Sequence, residues 1–139
     1  MNVYGGERGE IVHRGRSQQI VSWRGIRYGQ ITPSDIDGIY LTRGVIEYQS
    51  KAWVFFEFKH KDAPPIQTGQ LRMFNEMCAQ LERPALYLIC EHDVSDASAD
   101  IIAAESIVVS CRTKNNEWRQ PTNPTTAKQA SDQWIAKFS

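Results

Sequence analysis

The sequence has no apolar run long enough to cross a membrane: the longest, AWVFF at 52–56 and ALYLIC at 85–90, fall far short of the roughly 20 residues that a spanning helix needs. Its opening, MNVYGGERGE, has no hydrophobic stretch of the signal-peptide kind. The expectation is an intracellular, soluble chain with no membrane partner. Cysteine is scarce, and Cys78, Cys90 and Cys111 form no CxxC pair, which argues against a zinc or dithiol redox centre and for buried thiols. Of the three histidines, His13 and His60 have no partner at metal-ligand spacing, a second argument against zinc. Net charge is missing too. Sixteen Lys and Arg balance sixteen Asp and Glu, so a uniformly basic surface that coats nucleic acid is not expected. There is no internal repeat and no low-complexity tract.

What is present suits one domain spanning residues 1–139, since a chain 41% hydrophobic and 23% charged can build one core of useful size. Its charges are unevenly placed. Residues 1–30 hold Arg8, Arg14, Arg16, Arg24 and Arg27 against Glu7 and Glu10, whereas residues 91–107 hold Glu91, Asp93, Asp96, Asp100 and Glu105 and no base. The first stretch offers a partly basic approach surface, and the second reads as a solvated or repellent face.

Residues 1–17 are Gly- and Arg-rich and read as irregular. A short helix or strand then opens near QIVSW, after Ser17. IRYGQIT (26–32), IDGIYL (36–41), GVIEYQ (44–49) and AWVFFEF (52–58) are rich in Ile, Val, Tyr and Phe and are separated by Gly, Pro and Ser, the signature of a β-meander. Leu71, Phe74, Cys78 and Leu81 recur at helical intervals after Pro64 and Pro65, which predicts a helix over about 67–82. ALYLICE (85–91) and SIVVSC (106–111) read as buried strands, with a short helix in DASADIIAAES between them. Strands separated by helices pair in parallel. Thr125 or Thr126 caps a last helix, 125–138, with Ala127, Ala130, Trp134 and Phe138 on its apolar side. The expected fold class is therefore α/β: a central mixed sheet, an antiparallel meander followed by strands pairing in parallel, flanked by helices.

Two acids and a glycine interrupt the strand pattern in ITPSDIDGIY, and Glu57 and Lys59 recur on WVFFEFK at a two-residue step. Strand side chains alternate faces, so Glu57 and Lys59 share one side while Phe56 and Phe58 fill the other. A carboxylate and an ammonium left unpaired on so apolar a strand would cost roughly several kcal/mol. If the strand at 36–41 lies alongside, Asp37 reaches the edge that Glu57 reaches. Two carboxylates and the backbone carbonyl of Phe58 then make a hard-oxygen site for Mg²⁺ or Mn²⁺, and Lys59 stands beside the attacking water. Such a set suits phosphodiester hydrolysis. Gly38 removes a side chain next to the acid and permits close backbone approach. Asp35 has the parity of Asp37 and is the alternative ligand, or a turn acid after Pro33. His92 and Asp93 end the ALYLIC run at the edge where α/β sheets tend to place ligands, so His92 is a further candidate, against a plain loop or cap. The bland alternative for Glu57 and Lys59 is a surface ion pair.

An Asp in a hairpin strand, then Glu-x-Lys on the next, then a helix and another strand resembles the PD-(D/E)XK nuclease superfamily. Asp37, Glu57 and Lys59 match its motif, and Gln70 in TGQLRMF resembles the glutamine that many members carry at the start of the following helix. RYGQITPSDIDG, VFFEFKHKDAPPIQTGQ and CEHDVSD further resemble small nuclease-like proteins of bacteriophages and prophages; the likeness covers about residues 18–112. The resemblance implies a restriction-endonuclease-like fold, Mg²⁺ or Mn²⁺ as cofactor, DNA as the nucleic-acid partner, and a phage-encoded protein in the cytoplasm of a bacterial host. It gives Gln70 a contact to water or phosphate. Many members add a Glu from an N-terminal helix, for which Glu7 and Glu10 are the candidates. Enzymes that cut two strands often pair, which implies a homodimer. Two other readings stand beside the enzyme: a non-catalytic domain of this kind that binds a phage or host protein, as in anti-defence, and a DNA binder that does not cut.

Overall fold

Four strands and two helices follow one another in the computed structural model, which describes residues 37–43, 50–65, 68–96 and 98–138, all within one unit, 34–139. They are β1 (Gly38–Arg43), β2 (Ser50–His60), α1 (Thr68–Gln80), β3 (Ala85–His92), β4 (Ile107–Thr113) and α2 (Ala127–Ala136), with a 3-10 turn at Ala103–Glu105. The expectations for 1–36, including the strand 26–32, Asp35 and Glu10, and for the strand 44–49 lie outside the described residues. Among those described, no helix is long and apolar enough to cross a membrane.

The strands form one mixed sheet in the order β1-β2-β3-β4. β1 runs antiparallel to β2, with Gly38 opposite Phe56, and β2 runs parallel to β3, with Phe56 beside Leu88 and Lys59 beside Glu91. Helix α1 makes the return that a parallel pair requires, as its three-four spacing implied. β4 departs from the expectation of further parallel pairing: it runs antiparallel to β3, Leu88 facing Cys111. The reason lies in the connection. Where a short helix was expected, the described residues of this connection hold a 3-10 turn at Ala103–Glu105 and no α-helix, and without a crossover helix the chain re-enters the sheet from the end at which it left.

Alternation along β2 sorts two cores. Val54 packs with Leu86, Leu88, Cys90, Val108 and Ala127, joined by Phe56, Phe58 and Trp134, on the side of α2. Phe55 packs with Phe74, Cys78, Ala85 and Tyr87, joined by Trp53 and Trp118, on the side of α1. The result is a helix-sheet-helix sandwich. Trp118 and Trp134 are partly buried and pack against these clusters from their margins. The outer edge of β4 is covered by the chain that follows it: Cys111 bridges Arg119, and Val108 and Ser106 bond the backbone of Thr125 and Ala127. That contact delivers α2, whose N-cap is Thr126 rather than Thr125. The Thr126 hydroxyl accepts from the Gln129 amide while the Gln129 side chain accepts from Thr126 N–H, a reciprocal capping box.

Candidate functional site

The C-terminal half of β2 reads Phe56, Glu57, Phe58, Lys59, His60, and the fold gives each side chain a different surrounding. Glu57 belongs to the α1 face and is 8% exposed. Because α1 begins at the end of the sheet where β2 stops, its first turn lies over Glu57, and the Gln70 side-chain amide donates to Glu57 Oε1 at 3.0 Å. Two residues expected in one site from motif alone are thus in contact.

Asp37 is placed differently from the expectation. It sits in a bend just before β1 rather than within the strand, and it is exposed. Its Oδ2 accepts the backbone N–H of Phe58 at 2.7 Å. That amide is the next on its edge after the Gly38–Phe56 pair, so the Asp37 side chain takes the position a neighbouring strand's carbonyl would otherwise hold. A strand residue's N–H and C=O leave on the same side, so the Phe58 carbonyl emerges at the edge that carries Asp37. The carboxylate and the peptide oxygen expected to act together therefore share one edge of β2, with Glu57 adjacent in sequence.

Lys59 shares the face of Glu57. Its Nζ lies 3.1 Å from Glu91 Oε1, across from it on β3, and the two side chains are 19% and 25% exposed. Glu91 was read from the sequence as one acid of a solvated face; Asp93, Asp96, Asp100 and Glu105 do lie exposed. The signal that could have singled it out is register. The two apolar strands end in Glu-Phe-Lys-His and Ile-Cys-Glu-His, and aligning them end to end places Lys59 beside Glu91 and His60 beside His92.

His92 parts from the cluster. Parity puts His60 and His92 on the opposite face from Lys59 and Glu91, with their rings edge to face, centroids 5.4 Å apart. His92 Nδ1 accepts from the Val94 amide. His60 Nε2 is 3.0 Å from Ser95 Oγ, and its Nδ1 accepts from the Asp62 amide. The spacing has the look of a nucleophile and its base. Since the Asp62 amide donates to Nδ1, however, the ring proton is on Nε2 and points at Ser95, the wrong tautomer for taking a proton from the hydroxyl.

A divalent cation can be tested against the donors present. Among the described residues no three His, Cys, Asp or Glu side chains come together at metal-binding distance. Asp37, Glu57 and the Phe58 carbonyl are hard oxygen donors, few enough that Mg²⁺ would keep several waters, as it does in phosphoryl-transfer sites. By type these are the oxygen donors such a cation takes rather than the imidazole and thiolate of structural zinc sites, although Asp37 lines the α2 side of the sheet with Phe56 and Phe58 while Glu57 lies on the α1 side.

The chain matches no protein-family model, no curated protein and no solved structure.

Proposed function

We propose that the protein is a divalent-metal-dependent nuclease of the PD-(D/E)XK kind, acting on DNA, with Asp37, Glu57 and the Phe58 carbonyl as cation ligands. The observation that carries this reading is the convergence on one end of β2: Asp37 on the Phe58 amide, Gln70 on buried Glu57, and Lys59 on the same face. Bound there, Mg²⁺ or Mn²⁺ would make a water nucleophilic at neutral pH and offset charge on the phosphoryl oxygens. The chain's own groups have separate tasks. Asp37 and Glu57 supply the negative charge that attracts a cation, Lys59 offers its ammonium to a phosphate oxygen as charge builds there, and Gln70 holds the Glu57 carboxylate in one orientation. Hydrolysis breaks the bond from phosphorus to the leaving sugar oxygen, which takes up a proton as the water adds. A phage origin and a bacterial cytoplasm belong to the same proposal, as does pairing of two copies.

A second reading is supported by the ion pair. With Lys59 already held by Glu91, the same residues could serve a non-catalytic domain that binds a phage or host protein. Cleavage separates the two. Single-stranded, linear, supercoiled and branched DNA, and RNA, are incubated with Mg²⁺ or Mn²⁺ and wild type, Glu57→Gln or Lys59→Ala. Cutting by wild type that chelator abolishes supports the enzyme; intact substrates throughout, from folded protein, favour the binding domain.

A further inference from the structure

Lys59 and Glu57 stand two residues apart on one face of β2. A lysine ammonium on a flexible four-carbon stem so placed has the Glu57 carboxylate as the next acid along its own strand. An ammonium settled there would occupy the oxygens a divalent cation needs. In the structure it turns the other way. Glu91 stands at the register position beside Lys59 on the parallel neighbour, 3.1 Å from Nζ. Both side chains are largely withdrawn from water, so the pair is screened less than an exposed one. Gln70 holds Glu57 from the side of α1, and Glu91 holds Lys59 from the side of β3.

We infer that Glu91 is a positioning residue, which keeps the Lys59 ammonium off Glu57 and fixes it for the substrate phosphate. This rests on the nuclease reading of Asp37, Glu57 and Lys59. Glu91 touches neither cation nor substrate and acts through Lys59 alone, so its effect exists only while Lys59 is present.

The test is a cycle of Glu91→Gln and Lys59→Ala, singly and together, with Glu91→Ala as a second variant and circular dichroism to establish folding. Two quantities are read: Mn²⁺ affinity by calorimetry, and cleavage in Mg²⁺. With Lys59 present, Glu91→Gln should weaken Mn²⁺ binding and lower kcat, each by roughly 10- to 100-fold as outer partners of metal sites do, while KM moves by less than about threefold. In the Lys59→Ala background the same substitution should leave Mn²⁺ affinity unchanged. Equal losses in both backgrounds, or none in either, would overturn the assignment. Wild type that binds Mn²⁺ but cuts nothing would end the nuclease reading and leave the binding cycle to decide the role of Glu91. Wild type that binds no Mn²⁺ would overturn both.

Discussion

Cys90 is fully buried on β3, and burial foremost, with nearby Cys111 adding to it, pushes its thiol up to about 12. Above the ordinary thiol value of 9.0 the unfolded chain releases a proton that the folded chain keeps. The contribution to stability is therefore whole below that pH and is lost as pH climbs towards 12. Urea midpoints measured at about pH 8, 9.5 and 11 should fall in that order, and replacing Cys90 with Ala should flatten the trend. Alkylation of native protein should reach half-exposed Cys111 before buried Cys78 or Cys90. Tyr87 offers a different check. Its buried hydroxyl meets no hydrogen-bond partner among the described residues, so Tyr87→Phe should be neutral or stabilise by up to about 1 kcal/mol in urea unfolding; a clear loss would mean that the hydroxyl is bonded. At this scale Glu57 and Lys59 were readable because a period of two needs only local sequence. The bond from Asp37 to Phe58 was not, because it depends on where β1 begins, and Glu91 was not, because it depends on the register of two parallel strands whose paired residues, such as Lys59 and Glu91, are 32 positions apart.

Both helices were readable from spacing, since Phe74 and Cys78 on α1 and Ala127, Ala130 and Trp134 on α2 repeat the pattern of a single buried face. Their ends were readable from chemistry. Thr126→Ala removes the hydroxyl from the Gln129 amide and should cost about 1 kcal/mol in thermal or urea unfolding, without altering any group at the end of β2. The direction of β4 was not readable. DASADIIAAES carries enough alanine and isoleucine to suggest a helix, yet Ile101 and Ile102 are half-exposed, and without a buried face its described residues condense into a 3-10 turn at Ala103–Glu105 rather than an α-helix. Local propensity there had no core to support it.

Across the molecule, zero net charge and an acid-rich stretch after β3 make non-specific attraction to a polyanion weak. On the proposed nuclease reading, recognition of DNA would be concentrated near the end of β2, where Lys59 is largely withdrawn from water beside Glu91 and Asp37 is open to solvent. The α/β sandwich itself, with a mixed sheet between two helices, could be reached from the sequence by combining the meander, the helix and the second pair of strands. Fold class says little about activity, so the decisive comparison concerns one carboxylate. Glu57→Gln keeps the volume of the side chain and an oxygen to accept from Gln70, so the fold should survive. The measurement is Mg²⁺-dependent cleavage of DNA by wild type and Glu57→Gln, with both proteins shown to melt alike. A rate lowered roughly a hundredfold or more in the variant, with chelator silencing the wild type, is the expected result; equal cleavage by the two proteins would contradict a cation site at Glu57.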